Sequence, residues 1–131
     1  MTDRQRVVKH FYNALRTRDW PSMRLCFRGN STLEISGRSP YAGTYQGAEE
    51  IIRLFERMID DSADTFRPVQ PRTGDICVSD DHVILFDWFA AQRLGKELQA
   101  YVYFVCAVEH GAIQRMFLHS SEQYEFDEFW D

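Results

Sequence analysis

The chain has 131 residues, a formal net charge of −5, and 44% hydrophobic and 15% aromatic residues. That length suits one domain around one core, and ten Phe, six Tyr and three Trp are enough to wall a cavity as well as fill a core. No stretch gathers Lys and Arg on one face without acids between them, which disfavours a nucleic-acid partner, and no apolar run approaches the roughly 20 residues of a membrane span.

The first residues, Met1 to Arg6, are charged and lead straight into a helical pattern, which is not the pattern of a secretory signal. Val7, Val8, Phe11, Ala14 and Leu15 repeat at helical spacing and predict a helix over residues 3–17, with Arg4, Arg6, Lys9, Arg16 and Arg18 in water and His10 on the solvent side. Tyr12 adjoins the apolar stripe, either as a core-edge tyrosine or with its hydroxyl in a cavity. Asp19-Trp20-Pro21 starts a second helix, running to about Phe27, and Gly29 suits its end. Residues 31–37 alternate and predict a strand, with Leu33 and Ile35 on one side and Glu34 on the other.

The stretch 39–58 organises the middle of the chain. Pro40, Gly43 and Gly47 predict a shaped loop. Gly47 suits an N-cap, Glu49 and Glu50 suit a first turn, and Ile51, Ile52, Leu54, Phe55, Met58 and Ile59 form one apolar stripe of a helix ending near Asp60. From Thr65 the period changes to two. An interrupted strand runs to Val78, its Pro68, Pro71 and Gly74 pointing to an edge or a bulge. Residues 82–92, 97–109 and 112–124 follow as hairpin-linked strands, and residues 127–131 as a short terminal helix or tail. The order α-α-β-α-β-β-β-β is an α+β pattern, a curved antiparallel sheet with the helices on its concave face over a mostly apolar space.

Cys26, Cys77 and Cys106 are odd in number, widely spaced and set in apolar stretches, which predicts three buried thiols in a reducing, cytoplasmic setting. No C-x-x-C or close Cys/His pair is present, so no metal is expected.

Asp87 is the sharpest chemical feature. It is the one acid in an otherwise apolar strand, between Phe86 and Trp88. Such a carboxylate is costly to bury ionised and unpaired, which suits either proton transfer or an ion pair with Arg72, Arg115 or a dimer mate. His119 beside Ser120 and Ser121 lacks the G-x-S-x-G elbow of a hydrolase.

Three local patterns carry a resemblance. They are Phe11-Tyr12-Asn13-Ala14-Leu15 with Asp19-Trp20, Tyr41-Ala42-Gly43 with Gln46-Gly47-Ala48-Glu49-Glu50-Ile51, and His110-Gly111-Ala112-Ile113 followed by Phe126 to Phe129. In this order and spacing the chain resembles the SnoaL-like group of the NTF2-like superfamily over nearly its whole length. The resemblance implies one domain, residues 1–131, with a cone-shaped pocket. Relatives in the superfamily include ketosteroid isomerases, limonene-epoxide hydrolases, polyketide cyclases, dehydratases and ligand binders that do no chemistry. The isomerase's tyrosine, base and oxyanion-hole acid correspond to Phe11 (with Tyr12 one place off), Ile35 and Tyr103. The epoxide hydrolase's polar set corresponds to Asp87, Phe89 and Leu118. Asp87 is thus the carboxylate at a position that the family directs into its pocket.

By family parity Tyr101, Tyr103 and Val105 face the cavity, as do Met116, Leu118, Ser120 and Glu122, while His119 faces out. The expected catalytic residues are Asp87 for proton transfer, with Tyr103 or Tyr12 stabilising an oxyanion. Phe11, Trp20, Leu85, Phe89, Tyr101, Val105, Met116, Leu118 and Ser120 complete the expected ligand wall. The expected activity is cofactor-free isomerisation, cyclisation or dehydration of a small apolar carbonyl compound, and the alternative is a non-catalytic ligand-binding or oligomerisation domain. The expected partners are a small apolar or aromatic ligand and a second copy of the chain. That copy docks on the outer sheet face, where Val102, Phe104 and Cys106 are expected.

Overall fold

The computed structural model describes residues 1–69 and 74–131. In chain order these form α1 (Asp3–Thr17), α2 (Trp20–Arg24), β1 (Thr32–Ile35), β2 (Gly43–Gln46), α3 (Ala48–Asp61), β3 (Arg67–Pro68), β4 (Asp75–Val78), β5 (Val83–Arg93), β6 (Lys96–Glu109), β7 (Ala112–Ser120) and α4 (Gln123–Trp130). The strands make one seven-stranded sheet in the order β2-β1-β7-β6-β5-β3, with β4 also paired to β5. All pairings are antiparallel except that of β1 with β7, which is parallel.

Local chemistry accounts for the helices. Thr2 and Gln5 close a capping box at the start of α1. Asp19 caps α2 by accepting from the Ser22 backbone N–H at 3.2 Å. Gly47 stands at the N-cap of α3 with φ 87° and ψ 153°, a region essentially reserved for glycine. A Cβ there would also lie 3.2 Å from the Gly29 carbonyl oxygen. Gly47→Ala is therefore expected to cost about 1–3 kcal/mol in urea unfolding. Gly29→Ala is the near-neutral control, because a Cβ at Gly29 meets nothing within 4 Å.

The apolar stripes of α1 and α3 lie on one face of the sheet. The Phe11 ring touches Phe55 of α3 at 5.7 Å and Phe104 of β6 at 5.4 Å. Phe66 and Phe89 meet at 4.8 Å, tilted to each other, in the same layer. On the other flank Trp130 of α4 meets Tyr41 at 5.3 Å and Phe66 at 5.5 Å. Burial and a hydrogen bond to Asp61 push the Tyr41 hydroxyl up to about 12.

Several expected boundaries shift. The segment before Gly47 holds a short strand, β2, paired to β1, because Tyr41 and Ser39 turn the chain back on itself. The second helix stops at Arg24. The interrupted strand is two edge pieces on β5, with Pro68 at the edge as proline requires; Pro71 lies outside the described residues. The last strand ends at Ser120, and α4 takes up the residues after it. Glu122 is the exposed N-cap of α4 and not a strand residue facing inward.

Cys26 and Cys106 are buried, but Cys77 is exposed, because β4 is an edge strand whose outer side meets water. Burial pushes the Cys26 thiol up to about 11 and raises that of Cys106 further. An aromatic disulfide reagent at pH 8 is expected to titrate one thiol of the native protein quickly and the other two only on unfolding. Two or three fast thiols would contradict this arrangement.

Candidate functional site

Asp87 sits mid-strand in β5, opposite Val102. Val83, Leu85, Asp87, Phe89 and Ala91 are the buried alternation of that strand, facing the helices. Asp87 is 1% exposed. Its Oδ2 accepts from the Tyr12 hydroxyl at 2.8 Å and its Oδ1 from the Trp88 backbone N–H at 2.9 Å. These bonds answer the desolvation of the carboxylate. Tyr12 is also 1% exposed and reaches Asp87 from α1, its ring set against Phe89 and Phe104. Gly74 packs closely beside it, where an added Cβ would come within 3.2 Å of Tyr12 Cε2.

A groove of about 340 Å³ runs along α1, lined by Met1, Arg6, Lys9, His10, Tyr12, Asn13 and Arg16. Tyr12 is the link, since it lines this groove and holds Asp87 behind it. The polar lining residues recur at i, i+3 and i+4 on α1, a spacing legible in the sequence but read there as a solvated face.

The structure brings Tyr12 and Asp87 together and sets Leu85, Phe89, Phe11, Met116 and Leu118 in the buried layer around them. Trp20 is half-buried against the core at the start of α2. Ser120 lies at the end of β7, its Oγ accepting from the Glu122 N–H at 3.2 Å. Tyr103, Tyr101 and Val105 do not face inward. In β6 the buried residues are Leu98, Ala100, Val102, Phe104 and Cys106, and the register pairs Tyr103 with Phe86, Tyr101 with Trp88 and Val105 with Ile84 on the outer face. The parity expected for this strand is thus reversed. The expected docking residues Val102, Phe104 and Cys106 are core, and the outer face carries tyrosines instead.

Arg115 is not the partner of Asp87. It lies exposed on the outer face, over the Phe117 ring. Arg72 lies outside the described residues. His119 does face outward, as expected, stacked on Phe117, and its Nδ1 is 2.6 Å from the Ser36 hydroxyl rather than bonded to Ser120 or Ser121. Among the described residues no group of three His, Cys, Asp or Glu is placed to hold a metal ion, and no helix is long and apolar enough to cross a membrane.

The family model of the SnoaL-like domain matches residues 8–116. The chain belongs to that family. No curated protein matches this SnoaL-like chain significantly in sequence. Among solved structures it is similar to Bal32a from a soil-derived mobile gene cassette, at 28% identity and TM-score 0.88 over 98% of this chain and 97% of that one. An NTF2-like protein from Burkholderia xenovorans LB400 shares the fold at 13% identity and TM-score 0.81, over 98% and 96% of the two chains. So does TerC, co-crystallised with polyporic acid, at 17% identity and TM-score 0.80 over 98% of each chain. The fold of this SnoaL-like chain is the NTF2-like cone.

Proposed function

We propose that this SnoaL-like protein takes a small, largely apolar carbonyl compound against Tyr12 and moves a proton on it through Asp87, without a cofactor. The observation that carries this reading is the buried Tyr12–Asp87 hydrogen bond of 2.8 Å, with Tyr12 lining a groove. The pair has two useful arrangements. With Asp87 ionised, the Tyr12 hydrogen points at the carboxylate, and the Tyr12 oxygen accepts from a ligand hydroxyl. As that ligand proton passes to Tyr12, the Tyr12 proton passes to Asp87, leaving an oxyanion on the ligand. With Asp87 protonated, the bond reverses, and the Tyr12 O–H donates to a carbonyl oxygen. In keto–enol exchange, the first arm of an isomerisation, the second arrangement protonates the carbonyl oxygen as water removes the α-hydrogen, and the first takes the enol hydroxyl's proton back to Asp87 as solvent returns a proton to the α-carbon. TerC, of the same fold, was crystallised with polyporic acid, which supports an organic ligand here too.

The test is α-hydrogen exchange of small cyclic ketones in D2O, followed by NMR. Faster exchange with the protein, lost in Asp87→Asn, supports the reading. Saturable binding with no exchange across the panel rejects catalysis and leaves the alternative, a ligand-binding domain. One observation favours that alternative, namely that Tyr12 and Asp87 already bond each other and are both shut from bulk solvent.

A second copy is proposed on the outer sheet face. Phe86, Trp88, Tyr101 and Tyr103 touch ring to ring there, and Tyr101 is 38% exposed. These part-exposed, mutually packed rings make this patch a candidate for a twofold contact. Light scattering is expected to give about twice the 15.5 kDa of one chain, and Tyr101→Glu with Tyr103→Glu to halve that mass. A wild-type monomer across micromolar concentrations rules the dimer out.

A further inference from the structure

The α1 groove is basic in an acidic protein. The chain carries a formal net charge of −5, yet Arg6, Lys9, His10 and Arg16 line this groove, and among the described residues no carboxylate does. Three other cavities on the surface each include carboxylates, such as Asp61 with Glu97, or Asp127 with Glu128. Arg6 is already bonded to Asp3 at 2.7 Å. Arg16 is placed differently. Its Nη2 donates at 2.8 Å to Asn13 Oδ1, a neutral acceptor, and its Nε is buried with no hydrogen-bond partner among the described residues. A buried guanidinium N–H without an acceptor is costly and is best answered by an anion.

We infer that the groove binds an organic carboxylate. Its carboxylate meets Arg16, with Lys9 adding positive potential, and its hydrocarbon body lies along the groove toward Tyr12. The inference deepens the proposed function, resting on the same site, and narrows the ligand class to a small aromatic or apolar carboxylic acid. Guanidinium suits that partner, since its fork matches two carboxylate oxygens.

The test uses 2-naphthoate and its neutral analogue 2-naphthamide, titrated by calorimetry into wild type, Arg16→Gln, Arg16→Lys and Tyr12→Phe. Wild type is expected to bind naphthoate at least about tenfold more tightly than naphthamide, the range of one charge-assisted bond. Arg16→Gln should erase that preference and Arg16→Lys restore part of it. Thermal melts of the variants check that each is folded. Equal affinity of wild type for both probes, no saturable naphthoate binding, or a preference that survives Arg16→Gln overturns the inference. The two readings also fail separately. If Arg16→Gln removes naphthoate binding and Tyr12→Phe changes nothing, the carboxylate site stands without the Tyr12 chemistry. If naphthamide binds and responds to Tyr12→Phe, while naphthoate binds no more tightly than naphthamide and also ignores Arg16→Gln, the carboxylate site falls and the proposed function remains.

Discussion

Phe104→Ala is expected to destabilise the fold by about 3–5 kcal/mol, the range for truncating a buried aromatic. Phe104 is fully buried, and its ring meets Phe11 and Tyr12 of α1 and Phe89 of β5. Deleting it opens a cavity between α1 and the sheet that those rings cannot all close, because each is held by further neighbours. The next residue makes the comparison sharp. Tyr103 lies on the outer face, in contact with Phe86 and Tyr101 only at its sides. Tyr103→Ala is expected to cost roughly 1 kcal/mol, the scale of lost aromatic pairing. Urea unfolding of both variants at one protein concentration decides the parity of β6. A Tyr103→Ala loss as large as that of Phe104→Ala would put Tyr103 in the core.

That parity is where the sequence was hardest to read. Residues 101–106 run Tyr-Val-Tyr-Phe-Val-Cys, apolar at every place, so no polar residue marks the solvent side. Only the register with β5 and the ring contacts of Phe104 with α1 tell the two faces apart. In β5 the problem is milder, because Asp87 singles out one position, and the alternation about it places Leu85 and Phe89 on the same side. The stripes of α1 and α3 were fully legible, since each helix has one apolar and one charged face. β2 was not, being four residues long and opened by a glycine, and its pairing partner β1 finds its other neighbour, β7, far along the chain. The period of α4, with Phe126, Phe129 and Trp130 at helical spacing, was present in the sequence but obscured by extending the preceding strand past Ser120. In the site, both members of the Tyr12–Asp87 pair stood out singly. Their contact spans 75 positions, and only the packing of α1 across β5 makes it. The basic lining of the groove is hard to read in the sequence for a related reason. A row of Arg and Lys along a helix reads as a solvated face, and nothing in the sequence marks the groove that runs beside it.

Asp87 is expected to behave as a site residue rather than as a structural one, and two substitutions separate the possibilities. Asp87→Asn keeps the shape and an acceptor oxygen, so either the Tyr12 hydroxyl or the Trp88 N–H still has a partner. Tyr12→Phe removes one donor from the carboxylate and leaves its bond to the Trp88 backbone in place. The expected thermodynamic cost is about 1–3 kcal/mol for each, the range for disturbing a buried hydrogen bond to a charged group. The functional cost is expected to be larger, because the proton path runs through both groups, and general acid–base catalysis contributes about a hundred- to ten-thousand-fold. Thermal unfolding and ketone exchange measured side by side on both variants therefore give a clear reading. Folded variants that have lost exchange assign Asp87 and Tyr12 to proton transfer. If Asp87→Asn instead melts the fold while wild-type protein exchanges no ketone, the pair is a structural bond that joins α1 to the sheet. Loss of exchange in Asp87→Asn but not in Tyr12→Phe would leave Asp87 acting on the ligand directly and remove Tyr12 from the path.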